Sequence, residues 1–105
     1  MNDRKLVLHG RLGAKDGKRD ALAANLLRAA AAMESLPARR LYVVSTSESD
    51  PDGVWVTEIW DSAEDHAASL KRPETQQLIA ETMPRIAALP ERADKLALLG
   101  GKGPR

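Results

Sequence analysis

The run Val54-Trp55-Val56-Thr57-Glu58-Ile59-Trp60 constrains this chain more than any other feature. β-Branched and aromatic residues fill it almost completely, so it reads as a strand. Its apolar side chains fall on both faces: Val54, Val56 and Trp60 on one, Trp55 and Ile59 on the other. A strand of that kind needs cover on both sides of its sheet. Any fold for this chain must therefore place one layer against each face of residues 54–60.

The neighbouring segments supply the other elements. Residues 5–13 alternate, with Leu6, Leu8, Gly10 and Leu12 opposed to Val7, His9 and Arg11, which predicts a first strand. Asp16-Gly17 breaks it, and residues 18–34 carry Leu22, Leu26, Ala29, Ala30 and Met33 at helical steps in an alanine-rich stretch. Pro37 ends that helix at Ser35-Leu36, since the residue before a proline is pushed out of the helical region. Residues 39–48 form a second strand, and Asp50-Pro51-Asp52-Gly53 is a turn signal that predicts a hairpin into the third. Asp61-Ser62 caps a helix running to about Leu70, with Glu64 and Asp65 in its first turn. A further helix opens at Pro73 and carries Leu78, Ile79, Met83, Ile86 and Leu89, with a kink expected at Pro84. Residues 93–99 read as a fourth strand, and the Gly-rich basic end at 100–105 as a disordered tail.

The order β, α, β, β, broken α, β is the split βαβ pattern, so the expected fold is α+β and ferredoxin-like. It is one domain over residues 1–99, a four-stranded antiparallel sheet with helices on one face. The sheet's other face, with Trp55 and Ile59, then requires a partner, and a two-fold homodimer with sheets packed face to face supplies it most simply. Composition narrows the function classes. A net charge of +1, from 16 basic and 15 acidic side chains, argues against nucleic acid as a partner. The absence of cysteine removes disulfides and thiolate metal sites. The short apolar run Leu6-Val7-Leu8 is neither a signal peptide nor a membrane span, which needs about 18 apolar residues, so a cytoplasmic location is expected.

With no Phe, two Trp and one Tyr, few rings exist to build a pocket for a flat ligand. Trp60 is the leading candidate to stack on an aromatic substrate, against the plain alternative that it fills the core. Glu58, two residues earlier on the same face, can accept a phenol proton or pair with Arg39 or Arg40. His66, in the helix that follows Trp60, can shuttle a proton or lie solvated. Arg40 and Tyr42 can hold a substrate oxygen. His9 can sit on the second face of the sheet. Two histidines without carboxylates at ligand spacing make no case for a metal site.

Val56-Thr57-Glu58-Ile59-Trp60-Asp61-Ser62-Ala63-Glu64 resembles the Glu-x-Trp hallmark of antibiotic biosynthesis monooxygenase (ABM) proteins, which are dimeric α/β barrels. Ser69-Leu70-Lys71-Arg72-Pro73 sits where that family commonly has His-Leu-x-Ser-Pro, and Met83-Pro84 lies where its prolines are frequent. The resemblance implies either a cofactor-independent monooxygenase acting on a small aromatic, phenolic or quinol-like compound, or a non-catalytic barrel that binds a small molecule or serves as an accessory subunit. On the first reading Trp60, Tyr42 and Arg40 bind the substrate and His66 or Glu58 is the base. This chain departs from the family at Ser69 and at Glu74-Thr75, where relatives carry histidine and a His-Phe pair. Haem-degrading members have tryptophan at the Ser69 position, a ligating histidine at that of Ile79 and an asparagine on the first strand. None is present, and no cofactor is expected.

Overall fold

The computed structural model describes residues 5–88 and 93–101. Its elements are β1 (Leu6–Ala14), α1 (Arg19–Ala32), β2 (Arg39–Ser47), β3 (Asp50–Trp60), α2 (Ala63–Ser69) and α3 (Pro73–Thr82). A 3₁₀ turn (Met83–Arg85) and strands β4 (Ile86–Ala88) and β5 (Ala93–Ala97) follow. β1 and β3 are central and antiparallel, paired from Leu6↔Trp60 to Gly13↔Gly53. β2 flanks β3, while β4 and β5 pair along the outer edge of β1, at Gly13–Ala14 and Leu6–Gly10 respectively. Taken together, β4 and β5 occupy the fourth-strand position, giving the ferredoxin-like order with the two halves interleaved.

The two-faced reading of the third strand holds in the register. Leu12, Val54 and Val56 lie on the helix side, where Val54, Ala14, Leu22 and Leu26 form the buried core. Leu22 and Val54 are fully buried. The opposite face carries a row running across the strands from Leu96 through Val7 and Ile59 to Leu41. Trp55 is on that face too, with the Arg11 guanidinium 5.8 Å from its ring centre. His9 shares this face, and its Nδ1 lies 3.0 Å from Thr57 Oγ1 in a hydrogen bond. No helix among the described residues is long and apolar enough to cross a membrane.

Three boundaries differ from the sequence reading, each for a physical reason. The hairpin turns at Glu48-Ser49, with Ser47 paired to Asp50, rather than at Asp50-Pro51-Asp52-Gly53. That tetrapeptide belongs to β3 and bulges away from β2: Pro51 to Val54 stand opposite the single Thr46 between the pairs Ser45↔Trp55 and Ser47↔Asp50. A bulge tolerates the missing N–H of Pro51. Pro84 stops α3 instead of kinking it. The chain passes through the 3₁₀ turn into β4, so Ile86 is a strand residue packed on the core. Leu89 and the tail residues 102–105 lie outside the described residues. Ser62 caps α2 as expected, its Oγ accepting from the Asp65 backbone N–H at 3.0 Å.

Gly53 is required by close approach. Arg11 grips Asp50 through two N–H donors, at 2.6 and 2.9 Å. A Cβ on Gly53 would meet the Asp50 carboxylate and stand 2.8 Å from Arg11 Nε. Gly53→Ala is expected to be mildly destabilising, because the methyl must push the Asp50 carboxylate and the Arg11 guanidinium aside. Denaturant midpoints check it, and the cost should shrink in an Asp50→Ser background. An equal cost there would show that the pair is not what the methyl displaces.

Candidate active site

Between the sheet and the helices lies a largely apolar cavity of about 220 Å³. Its wall includes Tyr42, Glu58, Trp60 and His66, so four of the five residues singled out in the sequence come together. Leu12, Leu26, Met33, Leu78, Ile79 and Met83 make much of the remainder. β3 supplies Glu58 and Trp60 two residues apart on one face, and β2 brings Tyr42 directly opposite Glu58. Trp60 is 2% exposed, and its Nε1–H donates to Glu58 Oε1 at 2.9 Å. α2 carries His66 across to Trp60, with ring centres 5.4 Å apart in an edge-on arrangement. The indole therefore does two jobs: it fills space under the helices and it fixes one oxygen of the carboxylate.

Arg40 is not in the cavity wall. Period-two alternation from Tyr42 would aim it there, but the β2–β3 register slips between Arg39 and Leu41, so Arg39 rather than Arg40 stands opposite Trp60. One extra residue in a strand reverses the facing of everything beyond it. Arg40 instead holds Asp61 through two N–H donors, at 2.7 and 3.2 Å, and that contact keeps the Asp61 carboxyl below its ordinary range. Arg39 takes the cavity position. Its guanidinium sits 4.6 Å from the Tyr42 ring centre and donates to the Ala30 carbonyl at 2.6 Å, at the end of α1. Burial lowers the pKa of Arg39, with Tyr42 and Glu58 pulling the other way. Sequence alone offered no signal for this exchange, because nothing in Arg39-Arg40-Leu41 marks which residue is the extra one.

At the two positions where the sequence lacks the usual histidines, Ser69 Oγ–H donates to the His66 carbonyl at 2.6 Å and the Glu74 carboxylate accepts from the Arg72 guanidinium at 2.7 Å. Thr75, at the place of the pair's Phe, points its Oγ1–H at the Met33 sulfur at 3.1 Å. Among the described residues, no three His, Asp or Glu side chains gather as metal ligands.

The sequence profile of antibiotic biosynthesis monooxygenases matches residues 6–81. The chain belongs to that family. A Chloroflexus aurantiacus structure named provisionally for the same family is 40% identical with a TM-score of 0.86, covering 96% of this chain and 99% of that one. A Caulobacter crescentus structure, likewise named provisionally, gives a TM-score of 0.85 at 16% identity, over 93% of this chain and 92% of its own. A Nitrosomonas europaea protein of unknown function gives 0.80 at 24%, over 100% and 99%. The last two likenesses show the fold alone. No curated protein matches the chain.

Tyr42 offers a clean probe of this ABM cavity because it is the only tyrosine. Burial pushes its phenol well above the ordinary value, the Glu58 charge adds to the rise, and Arg39 partly opposes it. The folded state thus holds the phenol proton more tightly than the unfolded chain. Its contribution to stability is complete below about pH 10 and is lost as the pH climbs beyond that. Spectrophotometric titration should find Tyr42 un-ionised at pH 10 in the native protein, and Tyr42→Phe should flatten the alkaline fall in stability. Ionisation at the free-tyrosine value would contradict the buried setting.

Proposed function

We propose that this protein is a cofactor-independent monooxygenase that oxidises a small phenolic or quinol-like aromatic with dioxygen. One observation carries the reading: a carboxylate tethered by an indole N–H faces a largely apolar cavity, with a phenol and a guanidinium beside it. Glu58 takes the hydroxyl proton of the substrate, whose ring packs against Trp60 and the aliphatic wall. Arg39 and the Tyr42 hydroxyl stabilise the resulting oxyanion where water is largely excluded. The phenolate passes one electron to dioxygen, and the radical pair joins at a ring carbon to form a carbon–oxygen bond and a peroxide. Loss of the proton on that carbon forms a carbonyl and breaks the O–O bond, and the departing oxygen leaves as water with a proton returned through His66. The sum is phenol plus dioxygen giving quinone plus water, with every electron supplied by the substrate.

A non-catalytic binding role is the second reading, favoured by Ser69 and Glu74, whose side chains are spent on internal contacts where many relatives carry histidine. Oxygen uptake separates the two. With a panel of phenols and quinols, the wild type should consume dioxygen and place one labelled oxygen atom in the quinone. Glu58→Gln should lose about 10²- to 10⁴-fold in kcat, the range for a positioned general base. Binding of the same panel with uptake no faster than buffer would leave only the second reading.

The proposed assembly is a homodimer closed over the sheet face that carries the Leu96–Val7–Ile59–Leu41 row and the neighbouring Val43; Val43 and Leu96 are 43% and 48% exposed on the single chain. Burying such a face is the ordinary way a small sheet completes its second layer. Solution mass should be twice the 11.4 kDa of one chain. A monomer at micromolar concentration would reject the dimer and leave the cavity chemistry untouched. The cytoplasm is the proposed location, since a cysteine-free chain needs no oxidising compartment.

A further inference from the structure

Beyond the cavity at Trp60, the space under the helices continues past the Tyr42–Glu58 pair into a second lobe of about 310 Å³. Tyr42, Glu58 and His66 line both lobes, so the two meet at the proposed reacting group. The second lobe is floored by Leu8, Gly10 and Val56, and the Lys95 side chain stands on its wall. Lys95 pairs with Leu8, which itself pairs with Glu58, so the ammonium and the carboxylate are carried on the same sheet face two strands apart. At the spacing of neighbouring strands their backbones are separated by about 10 Å. The first lobe has Arg39 as its only lysine or arginine among the described residues, and Arg39 is partly committed to the end of α1. Lys95 has no such commitment: it is exposed, and no ion pair or hydrogen bond of its side chain is found among the described residues.

We propose that the second lobe is a carboxylate-tail subsite, so that the ligand is a hydroxyaryl ring bearing a short carbon chain that ends in a carboxylate at Lys95. The proposal rests on the hydroxyl being received at Glu58, as in the reading above. The floor between the two charged groups is apolar, which suits a hydrocarbon linker and penalises polar atoms along it. One ring and two or three further carbons suit groups carried on one sheet face two strands apart. A ring without the tail leaves Lys95 unused. A tail ending in a positive group is repelled by it.

Equilibrium binding of a hydroxyphenylpropanoate and of its uncharged primary amide, followed by calorimetry or tryptophan fluorescence, tests this without requiring turnover. The acid should bind about two- to fivefold more tightly than the amide, the range for an exposed ion pair, and the advantage should fade at high salt. Lys95→Met should remove the preference and Lys95→Glu should reverse it, and both variants should fold normally because the side chain is exposed. Equal affinity for acid and amide, or a preference that survives in Lys95→Met, overturns the subsite. So does failure of both compounds to bind while simple phenols are oxidised, and in that case the monooxygenase reading stands. Charge-dependent binding with no oxygen uptake has the opposite meaning: the subsite holds and the oxidation does not.

Discussion

The antiparallel ladder between β1 and β3 decides where everything else sits. It runs unbroken from Leu6↔Trp60 to Gly13↔Gly53, joining segments far apart in sequence, and it puts two central strands in strict alternation. Because side chains alternate with a period of two, this single register assigns Leu8, Leu12, Val54, Val56, Glu58 and Trp60 to the helix side. It assigns Val7, His9, Arg11, Trp55, Thr57 and Ile59 to the other. A slip of one residue in β1 would turn Arg11 toward the helices and Leu8 and Leu12 away from them, and the charge of Arg11 makes that slip unfavourable.

Against this rigid centre, the edge strand β2 is irregular at both ends, and both irregularities have consequences. Near the hairpin, the bulge at Pro51 to Val54 lets Arg11 hold Asp50 over the space that Gly53 leaves. At the other end, the extra residue at Arg40 turns Arg39 inward and sends Arg40 out to Asp61. The cavity thereby obtains a cation tied to the C-terminal turns of α1 and stacked on Tyr42, while Arg40 is held outside it by Asp61. Bulges at sheet margins re-aim side chains in this way, and here the re-aimed side chain is the one beside the candidate base.

The same tryptophan that closes the core also orients Glu58, so stability and chemistry share a residue at Trp60. That overlap explains why the choice between a core role and a binding role for Trp60 has no single answer. The side chain is buried, and its one polar atom is directed at the carboxylate. Ser69 and Glu74 illustrate the reverse case, where positions associated with histidines in relatives are drawn into local hydrogen bonding.

What the sequence alone determined follows from short-range rules. Apolar periodicity set the order of strands and helices, proline and serine set the helix starts at Pro73 and Ser62, and the β-branched and aromatic run of residues 54–60 marked the central strand. The grouping of Tyr42, Glu58, Trp60 and His66 was also within reach, because alternation and a short strand-to-helix connection constrain those positions. Tertiary structure alone decided the position of the hairpin turn, the conversion of Ile86 from helix to strand, and the exchange of Arg40 for Arg39. Each of these depends on how many residues one strand spends against its neighbour. That count is settled by long-range pairing and packing, where local propensities for turn, helix or strand differ by about 1 kcal/mol and are readily overridden.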